Sequence, residues 1–265
     1  MVDLHAHLIP GVDEGAGSFD ESLRMLRAAE ADGIETIIAT PHIVLNMFFS
    51  PMSIQKNIQG LNNNFHRLQQ MPREHNLSLQ VLRGAEIYFD SSLREKLDEF
   101  PGILTINGSD YFLLEFPSSF MFPGIKEFIF HVMTDGFIPI VSHPERNRVF
   151  QQDPALLYQF LQLGAMCQVD AGSIRGDFGT TARYTAIQFL KNNLVHIIAS
   201  DAHNSSTRPP GLSFLYEELK DFPKERLDKL LKDNPSAIVA NNPPPDIGPL
   251  EDPDHKSSFF DFFKR

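Results

Sequence analysis

The first apolar segment of the sequence is Val2-Asp3-Leu4-His5-Ala6-His7, and it ends in two histidines. Residues 2–5 are typical of a short buried β-strand. Residues two positions apart in an extended chain point to the same side, so His5 and His7 present their imidazoles together. Because imidazole is a common metal ligand, this segment predicts one corner of a metal site at the end of a strand.

Similar apolar, β-branched segments recur along the chain and alternate with helical patterns. The predicted strands are residues 2–5, 34–39, 79–86, 111–115, 138–142, 166–169 and 195–200. This alternation is typical of βα units around a parallel sheet or barrel. Seven strands predict an α/β fold of the (β/α)7 barrel type, closed or nearly closed and one strand short of the familiar eight.

Helical patterns cover residues 54–70, 125–134, 181–192 and 224–232, and two further helices have clear start signals. Ser18 with Glu21 three residues later predicts a capping box. Asp153-Pro154 predicts an N-cap followed by proline at the first helical position. Glycines typical of helix C-terminal caps precede three of the strands: Gly33, Gly136 and Gly164.

The composition is that of a globular protein with one large core. The chain has 265 residues, 42% hydrophobic and 22% charged. It contains neither an apolar run of the roughly eighteen residues that a membrane span needs nor the pattern of a secretory signal. A single cysteine excludes an internal disulfide and fits a reducing compartment. We therefore expect a soluble, cytoplasmic protein.

The charge balance argues against nucleic acid as a partner. The formal net charge is −11, with 34 acidic and 23 basic residues, and no run of lysine and arginine is present. A concentration of carboxylates at one place usually indicates a bound cation.

The end of the chain differs from the rest. A proline-rich stretch runs from Asn241 to Pro253 and is followed by Phe259-Phe260-Asp261-Phe262-Phe263. We predict a domain over residues 1–240 and a linker with an aromatic tail over residues 241–265. The tail is expected to dock on its own barrel or on another subunit, so a homo-oligomer is among the expected assemblies.

Metal-ligand residue types fall at the carboxyl ends of six of the seven predicted strands. These residues are His5, His7, His42, Glu86, Glu115, His143, Asp201 and His203. In α/β barrels the carboxyl ends of the strands form one face, where active sites lie. A lone histidine or glutamate is usually an ordinary polar side chain, but this many at one rim predict a metal centre.

The ligand chemistry combines imidazole with carboxylate and includes no thiolate. It suits Mn²⁺, Fe²⁺, Zn²⁺ or Mg²⁺. Four carboxylates, those of Glu14, Glu86, Glu115 and Asp201, would face about six positive charges from three divalent ions. The predicted pocket is therefore net positive and suits an anionic substrate. Asp3 either orients one of the imidazoles or is a plain strand-end residue.

Six motifs resemble those of the PHP (polymerase and histidinol phosphatase) superfamily. They are His5-Ala6-His7, Thr40-Pro41-His42, Gly84-Ala85-Glu86, Leu114-Glu115-Phe116, Ser142-His143-Pro144-Glu145-Arg146 and Ser200-Asp201-Ala202-His203. The resemblance implies a distorted seven-stranded barrel with a trinuclear metal site. Residues 11–15 and the segment from Asp201 to Pro210 further resemble bacterial tyrosine phosphatases of capsule and exopolysaccharide operons, and the resemblance covers about residues 1–240.

The resemblance also implies a distribution of ligands over two or three divalent ions, with Mn²⁺ favoured. The first ion would be held by His5, His7, Glu86 and Asp201. Glu86 would bridge to a second ion, held also by Glu115 and His143. Glu14, His42 and His203 would hold a third; the Glu14 position is often aspartate in the subfamily, so Asp13 is the alternative ligand.

By the same resemblance, Arg146 and Arg208 bind the phosphate, which a guanidinium contacts in a bidentate manner. Hydroxide generated from water at the metals would attack phosphorus in line, without a phosphoenzyme. Asp201 and His203 are the candidates for assisting proton transfer. The implied substrate is a phosphotyrosine protein, with a tyrosine kinase of polysaccharide export as a candidate partner.

Apolar aromatic residues follow two of the strand ends that carry predicted ligands. Met47-Phe48-Phe49 comes after His42, and Phe120-Met121-Phe122 comes after Glu115. They either contact an aromatic or peptide substrate or serve as packed lids or a subunit contact.

Other functions share part of this pattern. Another PHP phosphatase, acting on histidinol phosphate or a sugar phosphate, would keep the same metal residues. A non-catalytic metal-binding scaffold is a second alternative, and a metal-dependent amidohydrolase would require a bridging lysine that the sequence does not place. Cysteine-based phosphatase chemistry does not fit, because seven residues instead of five separate Cys167 from Arg175 and the thiol lies in an apolar strand.

Overall fold

A computed structural model of the chain describes residues 1–253. Within this range the strands are β1 Val2–Ala6, β2 Thr36–Ala39, β3 His42–Ile43, β4 Gln80–Arg83, β5 Glu86–Tyr88, β6 Tyr111–Glu115, β7 Ile138–Ser142, β8 Met166–Asp170 and β9 Ile197–Ala199. They form two parallel sheets with the orders β1-β2-β4 and β3-β5-β6-β7-β8-β9. The predicted parallel α/β fold is confirmed, and the closed (β/α)7 barrel stays a prediction.

The two sheets arise from two neighbouring breaks, one inside the predicted strand 79–86 and one directly after the predicted strand 34–39. The predicted strand 79–86 is wrong as one element, because it divides into β4 and β5 at Gly84-Ala85. Beside this break, Thr40-Pro41 separates β2 from β3. Backbone bonds continue across both breaks, from Gly84 N to Ala39 O at 2.9 Å and from Glu86 N to the Pro41 carbonyl oxygen at 3.0 Å. The breaks therefore turn the strand ends that carry His42 and Glu86.

The first and last strands meet along their carboxyl ends. His7 N donates to Ala202 O at 2.7 Å, and Asp201 N donates to His5 O at 2.9 Å. The buried Asp3 carboxylate strengthens this junction by accepting from Ser200 N at 3.0 Å and Ser200 Oγ at 2.6 Å. Burial raises the pKa of Asp3 to about 6, although the Ser200 bonds oppose the shift. Asp3 thus ties two strands together, and its carboxylate bonds go to Ser200 and backbone rather than to an imidazole.

The helices cover the outside of the strands. They are α1 Phe19–Ala31, α2 Leu45–Phe48, α3 Ile54–Glu74, α4 Leu93–Glu99, α5 Pro101–Leu104, α6 Ile125–Thr134, α7 Arg148–Gln152, α8 Pro154–Gln162, α9 Ala171–Arg175, α10 Thr180–Lys191, α11 Leu215–Glu218, α12 Lys224–Asp228 and α13 Asn234–Val239. A π-helical segment, Lys229–Asp233, joins the last two.

The helix termini follow the sequence signals with one change. Ser18 Oγ accepts from Glu21 N at 3.2 Å, as the capping-box pattern predicts. The Glu21 carboxylate does not complete the box, because it accepts from Ser205 N at 2.6 Å and so holds the loop after β9. The glycines expected to end helices adopt left-handed backbone, with φ of 84° at Gly33 and 101° at Gly164.

A second cluster of buried apolar side chains lies between the strands. Seven strands contribute at least one residue each, among them Leu4, Ile38, Leu82, Leu113, Ile140, Met166 and Ile197. A register shift in β1 between Asp3 and Ala6 marks a bulge. Such a bulge re-aims side chains, which explains how consecutive Leu4 and His5 both face this interior.

The segment after α13 lies along the body of the protein. Tyr111 Oη donates to Asn242 O at 3.1 Å, Glu251 N donates to Asn192 O at 2.9 Å, and Leu250 packs against the core. The predicted docking of Phe259-Phe260-Asp261-Phe262-Phe263 lies outside the described residues. Among the helices of residues 1–253, none is long and apolar enough to cross a membrane.

Gly84 tests the importance of the paired strand breaks. A Cβ at this position would lie 3.0 Å from both Ile38 Cγ2 and Thr40 Cγ2. We expect Gly84→Val to lower the free energy of unfolding by about 1–3 kcal/mol because it overpacks this junction, as measured by urea denaturation. Gly17→Val is the control, since its Cβ meets no atom within 4 Å. Equal stability of Gly84→Val and wild type would contradict the prediction.

Candidate metal centre

The structure brings the predicted ligand residues into one cluster at the carboxyl ends of the strands. Three groups of ligand atoms each lie within 4.8 Å of one another. The groups are His5, His7, Glu86 and Asp201; His42, Glu86 and Glu115; and His7, His42 and His203. Because neighbouring groups share residues, they form one continuous centre.

The first group is fully enclosed and has the spacing of a metal site. His5 Nε2 lies 3.1 Å from His7 Nε2 and 3.1 Å from Glu86 Oε2. Asp201 Oδ1 lies 3.4 Å from His5 Nε2 and 3.2 Å from His7 Nε2. Ligands bound at about 2.1 Å around one ion are about 3.0–3.4 Å apart in octahedral or tetrahedral geometry. The four atoms therefore fit a single divalent cation.

Two carboxylate oxygens of this group support the same conclusion. Glu86 Oε2 and Asp201 Oδ1 are buried without a hydrogen-bond partner among the described residues. A buried carboxylate oxygen that lacks a donor is costly. A cation between these oxygens and the two imidazoles would satisfy both, so the donor set fits a bound metal.

Glu86 connects the first group to the second. Its Oε1 atom lies 2.8 Å from His143 Nε2, and its Oε2 atom lies 3.1 Å from His42 Nδ1. Glu115 Oε2 is 3.5 Å from the same His42 nitrogen. Glu86 is thus placed to bridge two sites, with His42, Glu115 and His143 around the second.

The third group lies at the more open side of the centre. Glu14 Oε1 is 3.2 Å from His42 Nε2 and 3.9 Å from His203 Nε2, and the Glu14 side chain is 65% exposed. Asp13 is engaged elsewhere, because its Oδ2 atom accepts from His7 Nδ1 at 2.7 Å and from His42 N at 2.9 Å. The geometry therefore favours Glu14 over Asp13 as the ligand.

Hydrogen bonds orient the imidazoles of the centre. His5 Nδ1 donates to Gln168 Oε1 at 2.8 Å, His7 Nδ1 donates to Asp13, and His203 Nδ1 donates to Asp201 O at 2.9 Å. In each bond Nδ1 carries a proton and Nε2 is directed into the cluster, where the neutral imidazole can bind a cation. Such supporting contacts fix tautomer and ring direction at metal sites.

Two of the clustered residues have unusual backbone. His143 has φ of 33° and Asp201 has φ of 51°, in the left-handed region that costs a non-glycine residue about 1–2 kcal/mol. Strained backbone of this kind concentrates at functional sites. Here it turns each side chain into the cluster immediately after its strand.

Two arginines lie beside the first group. Arg146 Nη1 donates to Asp170 Oδ2 at 2.8 Å and to Asp201 Oδ2 at 2.6 Å, and Arg208 Nη2 donates to Asp201 O at 3.0 Å. Both guanidinium carbons lie over the Phe178 ring, 4.2 and 5.3 Å from its centroid. Each side chain is 29% exposed, so remaining N–H groups can bind an anion.

Charges within the cluster shift its pKa values strongly. Burial alone would raise the pKa of Glu86, but the His5 and His143 imidazoles hold it well below its usual range. Burial, reinforced by Glu86, raises the pKa of Glu115 to about 7. Burial and the nearby His7 lower the pKa of His203 to about 4. Because ligand atoms and protons compete for the same positions, cation binding will release protons.

Sequence reasoning missed a buried polar network beneath the centre. Gln168 Nε2 donates to Asp170 Oδ1 at 2.8 Å, and Glu145 Oε1 accepts from Ser173 Oγ at 2.6 Å. The predicted strand ended at Val169, one residue too early, which hid Asp170. Gln168 and Asp170 alternate with the apolar Cys167 and Val169 in this strand. That alternation in the sequence could have indicated buried polar side chains next to the centre.

His66 and His196, which lie outside the predicted ligand set, have partners away from the centre. His196 Nδ1 accepts from Cys167 N at 3.2 Å, and burial lowers the pKa of His196 to about 4. His66 bonds to Gln70 on the surface of α3. The Cys167 thiol is buried, and burial raises its pKa well above the usual value, which argues against a role as nucleophile.

Comparisons with known proteins agree with the resemblance seen in the sequence. The model of the family "Capsular polysaccharide synthesis, CpsB/CapC" matches residues 1–240. The tyrosine-protein phosphatase YwqE of Bacillus subtilis is 33% identical over 243 residues, which cover 91% of this chain and 92% of YwqE. The tyrosine-protein phosphatase CpsB of Streptococcus agalactiae is 30% identical over 252 residues, covering 91% and 99%.

A solved structure extends this similarity to the fold. It comes from work on YwqE from Bacillus subtilis and CpsB from Streptococcus pneumoniae, described as unique metal-dependent tyrosine phosphatases. The superposition has a TM-score of 0.80 at 31% identity and covers 92% of this chain and 96% of the other. The predicted resemblance to capsule-related tyrosine phosphatases is therefore confirmed.

Gln168 provides a test of the metal centre that leaves the ligands unchanged. Gln168→Leu removes the acceptor for His5 Nδ1, so we expect the affinity for Mn²⁺ to fall by about 10- to 100-fold. Competition with a fluorescent chelator measures this affinity. Gln168→Glu retains the acceptor for His5 but loses the donor to Asp170, so it is expected to bind Mn²⁺ more tightly than Gln168→Leu and less tightly than wild type. Wild-type affinity in Gln168→Leu would show that His5 needs no such support.

Proposed function

The chain belongs to the CpsB/CapC family of capsular polysaccharide synthesis, and we propose that it is a metal-dependent protein-tyrosine phosphatase. The observation that carries this proposal is the position of two guanidinium groups against a metal-binding group. Asp201 joins them, because Oδ1 faces His5 and His7 while Oδ2 accepts from Arg146. A metal ion bound at Oδ1 and the Arg146 guanidinium at Oδ2 would place positive charge on both sides of the Asp201 carboxylate. Such a site suits a phosphoryl dianion within an acidic protein.

We infer two or three divalent ions, with Mn²⁺ as the favoured ion and Fe²⁺, Zn²⁺ or Mg²⁺ as alternatives. The first is held by His5, His7, Glu86 and Asp201. The second is held by Glu86, Glu115 and His143, with His42 close by. The third is held by Glu14, His42 and His203.

The chemistry that such ions supply when bound is polarisation of the phosphoryl oxygens and formation of hydroxide from water near neutral pH. Arg146 and Arg208 bind the phosphoryl oxygens and stabilise their charge as the ester bond breaks. The Phe178 ring packs against both guanidiniums. Asp201 and His203 are the candidates for assisting proton transfer, and a tyrosine oxygen with a pKa of about 10 needs little such assistance to leave. Cys167 is buried and therefore does not serve as a nucleophile. The proposed reaction proceeds without a phosphoenzyme.

The fold around this centre is best described as a distorted (β/α)7 barrel over residues 1–240, followed by a linker and tail over residues 241–265. Its support is the buried cluster to which seven strands contribute at least one residue each. The β1–β9 backbone bonds at His7 and Asp201 join the two sheet edges.

The biological substrate we propose is a phosphotyrosine protein of capsular or exopolysaccharide synthesis, and a tyrosine kinase of polysaccharide export is the candidate. The family description and the names of the relatives support this choice. A cytoplasmic location and a homo-oligomer stay predictions.

The direct test is a comparison of three substrates. With Mn²⁺ present, we expect phosphate release from a phosphotyrosine peptide and from a simple aryl phosphate, and much less from histidinol phosphate. Chelation and His5→Ala should each reduce the rate by at least about 100-fold, because the hydroxide nucleophile depends on the bound ions. A preference for histidinol phosphate would overturn the assignment of phosphotyrosine as the substrate. The absence of activity on all three substrates would overturn the proposal that the protein is a phosphatase.

Glu14 and Asp13 can be separated by the number of bound ions. We expect Glu14→Gln to lose about one metal equivalent per chain, because it removes a ligand carboxylate. Asp13→Asn should keep the number of ions and weaken their affinity, since it disturbs only the orientation of His7. Elemental analysis of the purified proteins gives the count. The reverse result would make Asp13 the ligand.

A further inference from the structure

A preformed groove opens beside the metal centre at Glu14 and His42, and neither Arg146 nor Arg208 lines it. Its volume is about 550 Å³, and its apolar wall is formed by Val12, Val44, Met47, Phe48 and Leu61. We refer to it as the α2–α3 groove. Glu14 and His42 also line it, so the groove opens directly onto the candidate ligands.

The groove has apolar surface that the rest of residues 1–253 leaves uncovered. Met47 is 70% exposed and Val44 is 39% exposed. Exposed apolar residues beside a charged catalytic centre are typical of a binding surface. The exposed Lys56 lines the same groove, so a cation accompanies the apolar wall.

Hydrogen bonds hold the groove walls in place. Asn57 Nδ2 on α3 donates to Phe48 O at 2.9 Å and thereby holds α2 against α3. Asn64 Nδ2 donates to Pro10 O at 3.1 Å and holds the loop that leads to Glu14. A rigid groove loses little entropy on binding a ligand.

A second hollow borders the centre but has different chemistry. Its volume is about 270 Å³, and Glu115, His143 and Arg146 line it together with two aromatic residues, Tyr88 and Phe116. This smaller hollow suits the phosphoryl group and its aryl ring rather than a flanking peptide. Of these two hollows, the α2–α3 groove is the one with room and apolar surface for a peptide.

We propose that the α2–α3 groove binds the polypeptide segment that flanks the phosphotyrosine. The groove takes an apolar side chain next to the phosphotyrosine against Met47 and Phe48, and Lys56 attracts an acidic residue farther along the peptide. This inference rests on the proposed phosphatase function. It explains how the centre distinguishes a protein substrate from a small aryl phosphate that reaches only the metals and arginines.

Gly60 offers a way to fill the groove without touching the metal centre. It lies within α3 and lines the groove, and a Cβ there meets no atom within 4 Å. Replacing a helical glycine also favours the helix, so Gly60→Leu is expected to fold. Gly102→Leu is the matched control, since Gly102 is another helical glycine in open space and does not line the groove.

The experiment compares KM for an aryl phosphate with KM for a phosphotyrosine peptide that carries leucine beside the phosphotyrosine and aspartate beyond it. Gly60→Leu should raise KM for the peptide by about tenfold, the effect of losing one buried apolar contact, and leave KM for the aryl phosphate unchanged. Gly102→Leu should change neither. Equal KM changes for both substrates, or no change for the peptide, would overturn the proposal.

Lys56→Glu adds an independent readout of charge. We expect it to raise KM for the aspartate peptide several-fold and to lower KM for a peptide with lysine at that position. If the Lys56→Glu substitution leaves KM unchanged for both peptides, Lys56 does not contribute to the specificity of the groove.

Direct binding separates failure of the groove from failure of the enzyme. Fluorescence titration of the Mn²⁺-loaded protein with the same labelled peptide needs no turnover. Wild type could bind the peptide without hydrolysing it while Gly60→Leu weakens binding about tenfold. That result would support the groove as the peptide site and contradict the phosphatase function. If the two proteins bind the peptide equally, the groove falls whatever the activity.

Discussion

The carboxylate of Glu86 is the group on which the rest of the site depends. It is fully buried, and its Oε2 atom has no hydrogen-bond donor among residues 1–253. Burying such a charge costs several kcal/mol unless cations surround it. The imidazoles of His5, His42 and His143 provide part of that environment, and the spacing of the donor atoms leaves room for ions to provide the rest. The centre is therefore organised outward from one buried negative charge.

The backbone accommodates this arrangement by departing from regular barrel geometry. The bulge in β1 turns His5 inward, and the paired breaks bring Glu86 beside His42. Left-handed backbone turns His143 and Asp201 toward the same point. Each departure costs some local stability, and the apolar cluster below the centre offsets that cost by burying a side chain from each of seven strands.

The surroundings of the centre divide its two chemical tasks. Arg146 and Arg208 share Asp201 with the metal-binding group, which concentrates positive charge where a phosphoryl group would bind. The α2–α3 groove offers apolar surface beside Glu14. A phosphoester of an aromatic side chain in a protein combines both properties. In the proposed function, this division would let a protein of net charge −11 accept a doubly charged phosphoryl group.

The sequence by itself determined the alternation of strands with helices and the positions of candidate ligands such as Glu86 and Asp201 at strand ends, because both depend on patterns between residues close together in the chain. The tertiary structure alone decided where β4 ends and β5 begins and which side chains support the ligands. Gln168 orients His5 from 163 residues away, and Asp170 holds Arg146. No local pattern encodes such pairs, since they exist only after packing has brought separate strands together and excluded water from the polar groups between them.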